Sequence, residues 1–432
     1  MGDHNDITHA AVQVLPEWQK ALLRDQAESL IDRYCCYPDW AYPWSPEGEQ
    51  KAEAAPYQYH EEGWQYHYWA RESANPGENL VRCYEIDPLE YYGFFSRGAD
   101  FFFEAVASCV TRGEMEDAAK YAGSLLHAHQ DPGTNIHCLE GRFGLDWRAV
   151  ESLFFCSDQP FGPLNSAMSD YLGVARCANG ISIKGYQPKL LGKQPAEAAF
   201  HLFRRHVELS FFARSRIIPV IQRARRGAKA KAEALLRGTE EETARVSADI
   251  LFTSLSIASQ RFSDLDSDRL QTVDLSAYPP VDAPALLSAP YRFAPVAQGY
   301  CPSLSGEKVP LRLRVRNGGD VSELATGLGT GCHAMGYRIV YPVPRDTYAT
   351  FSCRAGLHAD LSTEQSAARL AVRFDGRVCW ESELMGSGGM GEEIAFPVDT
   401  GGYLELMARD LSNDGYGNPH THVVWGELLL RK

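Results

Sequence analysis

The hydrophobic pattern of this chain changes once, near residue 309, from helical spacing to alternation. Before that residue, apolar side chains recur every three or four positions, which predicts amphipathic helices over residues 6–33, 87–128 and 195–260. After it, apolar and polar residues alternate in short segments, which is typical of half-buried strands. The pattern therefore predicts a helical domain followed by a β domain. The predicted strands are residues 311–316, 337–343, 349–357, 368–382, 393–399, 403–410 and 422–430.

The region between the two patterns is rich in Pro, Ser, Ala and Asp, as in AYPPVDAPALLSAP. Such composition is typical of linkers and of connections that lie over a surface. We therefore predict a helical domain at residues 1–265, a linker at 266–305 and a β domain at 306–432. The run of short strands and the Asp375-Gly376 hairpin signal indicate a β-sandwich of the jelly-roll kind.

Composition excludes several classes of protein. With 432 residues, 44% of them hydrophobic, the chain can bury a large core. Its net charge of −14 does not attract a phosphate backbone, which argues against non-specific binding of nucleic acid. No run of about 18 apolar residues predicts a transmembrane segment, and the polar, acidic N-terminus shows no signal peptide. The eleven cysteines include no CxxC pair, and we expect most of them to be small buried residues.

One stretch, Ala118–Gly141, carries the pattern that points most directly to chemistry. His127 and Asp131 are four residues apart, which places an imidazole and a carboxylate on one face of a helix. Pro132 ends that helix, and the turn after it allows His137 to return to the same place. Imidazole and carboxylate are ligands that zinc prefers. Taken alone, the His–Asp pair is better explained by a solvated helix face with a capped end.

The order of these residues resembles the central metal motif of the zinc-dependent phospholipase C / P1-type nuclease family. That family has a helix-borne His-x3-Asp, a short Pro-containing turn and then a His. The resemblance covers residues 1–270 loosely and the stretch 118–141 closely. It implies an all-helical fold, a buried site for one to three zinc ions and hydrolysis of phosphodiesters. It also implies a secreted or periplasmic protein.

The resemblance implies further ligands in the first part of the chain. His9 matches the family's histidine at the start of its first helix, and Asp39 matches a loop aspartate. His67, within WQYHYW, matches a histidine that lies beside aromatic residues. The family's amino-terminal tryptophan ligand is missing, and His4 or the free amine of Gly2 is a candidate substitute.

The chain departs from the family after His137, where a His-x3-Glu pair is expected. Glu151 holds the position of the carboxylate, but Trp147 stands where the histidine belongs. His201, on a later helical pattern, is a candidate replacement. The departure leaves open that one metal is absent and that activity is lost.

The β domain resembles the carbohydrate-binding module called NPCBM. The stretches that carry the resemblance are GLGTGCHAMGYRIVYPV, TFSCRAGL, VRFDGRVCWES and HTHVVWGELLL. NPCBM modules are accessory β-sandwiches on glycoside hydrolases and other secreted enzymes, so the resemblance implies a glycan as a partner. His333, His422 and Trp425 match the module's pattern and are equally explained as structural residues.

The sequence therefore predicts a zinc-dependent phosphodiester hydrolase, phospholipase C-like, with an accessory module. The resemblance gives Asp131 the role of bridging ligand, and Asp39 would bind metal or accept the proton of the attacking water. A phospholipid or another phosphodiester is preferred to nucleic acid because the chain is acidic. One alternative is a carbohydrate- or surface-binding protein with a degenerate, non-catalytic metal site. Another is a structural protein of two domains.

Overall fold

A computed structural model describes residues 2–41, 45–61, 64–65, 88–133, 180–283, 296–315, 320–412 and 420–432. Contacts divide the chain into two compact units, Met1–Asp266 and Ser267–Lys432. The first unit is helical and the second is built of antiparallel strands. The predicted fold class, a helical domain followed by a β-sandwich, is confirmed.

The first unit is formed by helices of very different length. Its helices are α1 (Gly2–Gln13), α2 (Glu17–Leu23), α3 (Gln26–Asp32), α4 (Tyr37–Ala41), α5 (Glu49–Ala54), α6 (Pro88–Arg112), α7 (Met115–Gln130), α8 (Pro195–Arg225) and α9 (Lys229–Ser259), and α10 (Asp264–Arg269) crosses into the second unit. Short 3-10 helices lie at Tyr34–Cys36, Ala55–Tyr57 and Asp131–Gly133. A two-residue pairing joins β1 (His60–Glu61) to β2 (Trp64–Gln65).

The four long helices, α6 to α9, pack on one another around aromatic side chains. Phe95 on α6 is fully buried, and its ring meets that of Phe203 on α8 edge to face, with centroids 5.1 Å apart. Such aromatic contacts add to the hydrophobic free energy that holds a helical core together. Gly113, at φ +79°, ends α6, as the sequence indicates, and α7 begins two residues later.

One helix contains an internal proline. Pro219 lies within α8, which continues through it from Pro195 to Arg225 and is not split there. A proline within a helix removes one backbone hydrogen bond. Here the neighbouring Val220 and Ile221 are buried, so packing holds the helix together across that gap.

A buried ion pair ties the segment before α8 to the long helices. The Asp249 carboxylate lies 3.3 Å from Arg205 Nε and accepts hydrogen bonds from the Tyr186 hydroxyl at 2.8 Å and the Lys189 amide at 2.8 Å. Burial raises the pKa of Asp249 to about 6, and Arg205 and these donors offset part of that rise. The network satisfies a carboxylate that would otherwise be costly to bury.

The second unit is a β-sandwich of antiparallel strands. The strands are β3 (Thr272–Asp274), β4 (Ala297–Gln298), β5 (Cys301–Pro302), β6 (Lys308–Val309), β7 (Arg312–Arg314), β8 (Val321–Glu323), β9 (Gly327–Gly331), β10 (Tyr337–Val343), β11 (Thr350–Leu357), β12 (Ala367–Phe374), β13 (Arg377–Glu381), β14 (Met385–Gly386), β15 (Glu392–Pro397), β16 (Gly402–Asp410) and β17 (His422–Arg431). One sheet has the order β10-β16-β12-β13 and the other has the order β15-β11-β17-β9-β4. Along β12 every second residue, from Ala368 to Phe374, faces the interior.

The hairpin turn of the sandwich agrees with the sequence pattern, whereas part of the predicted linker does not. Asp375 and Gly376 both have positive φ and form the two-residue turn between β12 and β13 that the sequence predicts. The predicted linker at 266–305 contains strands where the structure describes it: β3 pairs with β17, and β4 pairs with β9.

No helix among the described residues is long and apolar enough to span a bilayer. The seven described cysteines are free thiols, and six of them are buried, as expected for small core residues.

A close approach between α7 and the backbone at Tyr34 tests how tightly this helix is held. A Cβ at Gly123 would lie 2.5 Å from the backbone carbonyl of Tyr34. Since that neighbour is backbone and cannot swing away, we expect Gly123→Ala to lower the free energy of unfolding by about 1–3 kcal/mol in urea denaturation.

The matched control is Gly238→Ala within α9. Its Cβ would meet only the mobile end of Arg216, 2.5 Å away, which can move. Helix propensity then raises stability by about 0.5–1 kcal/mol. Equal effects of the two substitutions would show that α7 does not press on the backbone at Tyr34.

Candidate metal centre

The end of α7 brings His127 and Asp131 together. His127 lies in the last turn of the helix, and Asp131 opens the 3-10 turn that follows. Because they are four residues apart, they share one face, and His127 Nε2 lies 3.5 Å from Asp131 Oδ2. The spacing in the sequence therefore places imidazole and carboxylate side by side, as expected.

Two other elements complete the group. α4 carries Asp39, whose Oδ1 lies 3.5 Å from His127 Nε2. α1 carries His4, whose Nε2 lies 3.6 Å from Asp131 Oδ1, and its ring stacks on that of His127 with centroids 4.2 Å apart. Ligand atoms of His4, Asp39 and His127 all lie within 4.8 Å of one another. We call His4, Asp39, His127 and Asp131 the His–Asp cluster.

Hydrogen bonds on the far side of each ring set the tautomer of both histidines. His127 Nδ1 lies 2.7 Å from the Cys35 carbonyl oxygen, an obligate acceptor, so this nitrogen donates. His4 Nδ1 donates in the same way to Gln130 Oε1 at 2.8 Å. The Gln130 amide is itself oriented by its donation to Thr8 Oγ1 at 2.9 Å. In the neutral rings, both Nε2 lone pairs therefore point towards the carboxylates.

Burial and charge act differently on the two imidazoles. Burial, together with the neighbouring His127, lowers the pKa of His4 to about 4. Burial also acts to lower the pKa of His127, but the carboxylates of Asp131 and Asp39 outweigh it and the pKa is raised. Both carboxylates lie 3.5 Å from His127 Nε2, so the potential there is negative and favours a cation.

The cluster is closed on one side and open on the other. His127 is fully buried, and the Asp131 side chain is 4% exposed. The Asp39 side chain is 51% exposed. Asp39 therefore marks the side from which a small molecule can reach the cluster.

The donor set is compatible in type and spacing with a small metal ion. Tetrahedral zinc with bonds of 2.0–2.1 Å places its ligand atoms about 3.3 Å apart. His127 Nε2 lies 3.5 Å from Asp39 Oδ1 and 3.5 Å from Asp131 Oδ2, which is close to that value, and His4 Nε2 lies 3.6 Å from the other Asp131 oxygen. Two imidazoles and two carboxylates are also the ligand types that zinc takes in catalytic sites.

The structure does not bring every predicted ligand into the cluster. His9 is exposed, with its Nε2 3.3 Å from Gln13 Nε2, and His4 takes the place on α1 that was assigned to it. His4 and His9 are five positions apart, which corresponds to a rotation of about 140° around the helix axis, so the two rings face different ways. His201 is buried in α8 with its ring against Phe200, and it is not part of the cluster. His67, His137 and Glu151 lie outside the described residues.

A second pair of histidines lies on another face of α7. His129 Nδ1 is 3.2 Å from His206 Nδ1, and both rings meet Phe95. Burial lowers the pKa of both, that of His206 to about 3, so the rings are neutral and one donates to the other. This pair belongs to the aromatic core and joins α7 to α8.

The structure places the histidines and the tryptophan singled out in the β domain in strands and in one turn. Trp425 is fully buried and its Nε1 donates to the Tyr337 hydroxyl at 3.1 Å. His422 is 1% exposed within β17, and His333 Nδ1 accepts from the Met335 amide at 3.0 Å in a turn.

Comparisons with solved structures give only remote similarity. CBM51 of a Clostridium perfringens GH95 protein, in complex with methyl-galactose, is 21% identical; the match covers 37% of this chain and 99% of that one, with a TM-score of 0.31. CBM51-2 with INT domains of C. perfringens ZmpB is also 21% identical, over 37% of this chain and 31% of that one, with a TM-score of 0.31. Alpha toxin of Clostridium absonum is 12% identical over 100% of this chain and 94% of its own, with a TM-score of 0.37. These TM-scores are too low to establish a shared fold.

A comparison with curated proteins finds no match. A family model does match the second unit: residues 304–431 fit the NPCBM/NEW2 domain. The C-terminal domain of this chain is therefore an NPCBM-type domain.

Proposed function

We propose that this protein is a zinc-dependent phosphodiester hydrolase of the phospholipase C kind, with an NPCBM-type domain that binds a glycan. The observation that supports the enzymatic part is the His–Asp cluster. In it, two imidazole nitrogens, each fixed as a lone-pair donor by a hydrogen bond on its far side, face two carboxylates at 3.5–3.6 Å.

His4 and His127 would bind the ion through Nε2. The Cys35 carbonyl and the Gln130 amide hold their rings in the orientation that binding requires. When bound, zinc makes hydroxide available near neutral pH and neutralises charge on phosphoryl oxygens.

The two carboxylates have different positions and so different roles. Asp131 turns one oxygen to each histidine, so it would be the bridging ligand if two ions were bound. Asp39, half exposed at the open side, would bind metal or accept the proton of the attacking water. His67, His137 and Glu151 remain the expected ligands of further ions, giving one to three in all.

The charge of the chain supports a phospholipid or another small phosphodiester as substrate. At a net charge of −14 the surface repels a nucleic-acid backbone, whereas a single phosphodiester responds to the local site.

A second candidate is a glycan- or surface-binding protein with a degenerate, non-catalytic metal site. Trp147 stands where the family has a histidine, and this observation favours it. The two candidates differ in chelator-sensitive turnover, which only the first requires.

Gln130 tests whether the cluster binds metal. Gln130→Leu removes the acceptor that orients His4, so we expect zinc affinity, measured by competition with a chromogenic chelator, to fall about 10–100-fold. Gln58→Leu is the control, because Gln58 is equally buried but donates to Ser124 and Ala54. If both variants keep the affinity of the wild type, Gln130 does not orient a ligand.

His127 tests the centre itself. We expect His127→Ala to remove bound zinc, measured by elemental analysis, and to abolish chelator-sensitive hydrolysis of a chromogenic phosphocholine ester. His9→Ala should keep both, since the structure places His9 outside the cluster. Zinc uptake with no turnover in the wild type would favour the second candidate, and turnover that survives His127→Ala would place the chemistry elsewhere.

A further inference from the structure

A groove lies on the outer face of the β13-β12-β16-β10 sheet, within the C-terminal unit. Its volume is about 640 Å³. Ala371 on β12 and Met407 on β16 are directly opposite each other and form its floor. The His–Asp cluster contributes nothing to this groove, which is therefore a separate feature of the molecule.

The groove is strongly basic in an acidic chain. Four arginines and one glutamate line it, although the whole chain carries a net charge of −14. Arg369 on β12 and Arg409 on β16 are directly opposite each other in the register. Like charges in that position repel, so this pair costs free energy unless an anion lies between the two guanidinium groups.

Acidic neighbours neutralise only part of this charge. Arg338 is paired, with Asp282 at 2.9 Å and Glu405 at 3.9 Å. Among the described residues, the acidic partner of Arg369 is Glu381, at 3.9 Å, and both side chains are about half exposed. The buried Nε of Arg373 has no hydrogen-bond partner among the described residues. Arg409 Nε donates to the Ala334 carbonyl at 2.9 Å, which leaves its two Nη groups, with those of Arg369, as guanidinium donors for an anionic ligand.

Apolar side chains project beside these arginines. Met335 is 83% exposed, Val378 is 48% exposed and Leu411 is 41% exposed, and all three line the groove. The described residues of the groove offer no open aromatic face on which a neutral sugar would stack. Its one described aromatic residue, Tyr337, is only partly exposed, and its hydroxyl accepts from Trp425. Guanidinium groups next to exposed apolar side chains match an amphiphile with an anionic headgroup.

We propose that this groove docks the protein on an anionic lipid surface. The headgroup phosphate or carboxylate lies between Arg369 and Arg409 and takes paired hydrogen bonds from their guanidinium groups. Met335, Val378 and Leu411 enter the boundary between headgroups and acyl chains. This docking does not depend on the metal centre.

The test is co-sedimentation of the full chain with vesicles, with a chelator present so that no lipid is hydrolysed. We expect binding to phosphatidylcholine vesicles that contain about 30% phosphatidylserine, no binding to phosphatidylcholine alone, and a loss of binding as salt rises. The double variant Arg369→Ala/Arg409→Ala should bind about tenfold more weakly. Met335→Ser should also weaken binding to the vesicles, and the size of this loss should not depend on the salt concentration.

Arg354→Ala is the matched control. Arg354 is an arginine of the other sheet, paired with Glu393 at 3.0 Å and Glu427 at 3.3 Å, and its loss should leave vesicle binding unchanged. A second measurement separates docking from folding. Arg369→Ala should not lower the melting temperature, because it removes a like-charge contact.

Three results would overturn the proposal. One is that phosphatidylserine does not increase the vesicle binding of the wild type. Another is that the double variant is folded and binds the vesicles as tightly as the wild type. The third is binding of a hyaluronan hexasaccharide, lost in the double variant, together with no binding to vesicles. That result would assign the groove to an acidic glycan.

Discussion

The hydrogen bond from His127 Nδ1 to the Cys35 carbonyl is the contact on which the candidate centre depends. It forces the proton onto Nδ1 and turns Nε2 towards Asp39 and Asp131. The bond can form only because α7 approaches the 3-10 turn at Tyr34–Cys36 closely, at a helix position where glycine leaves room. A packing constraint in the helical core thus sets the protonation of a ligand.

Sequence patterns predicted the parts of the site that depend on local geometry. The four-residue spacing of His127 and Asp131 places them together on any helix, and Pro132 marks where that helix ends. Periodicity could not choose between His4 and His9, because both lie on α1 and only the rotation of that helix against α7 separates them. The pairing of His4 with Gln130 spans 126 residues and leaves no local signal.

The same limit applies to the β domain. Long alternating segments such as β12 and β16 were predicted because one face of each is buried. β9, with the sequence GLGTG, was missed because glycine has low strand propensity. Glycine is required at position 329 by a close tertiary contact, since a Cβ there would lie 2.5 Å from Cys301. β3, at the start of the predicted linker, exists only through its pairing with β17.

α7 is held from two directions at once. His127 binds the Cys35 carbonyl on one face, and His129 meets His206 on another. A roll of the helix by one residue, about 100°, would break both contacts together. The position of His127 Nε2 is therefore set by the packing of the helical core, and any ion that bound there would have to fit a donor atom that cannot shift towards it.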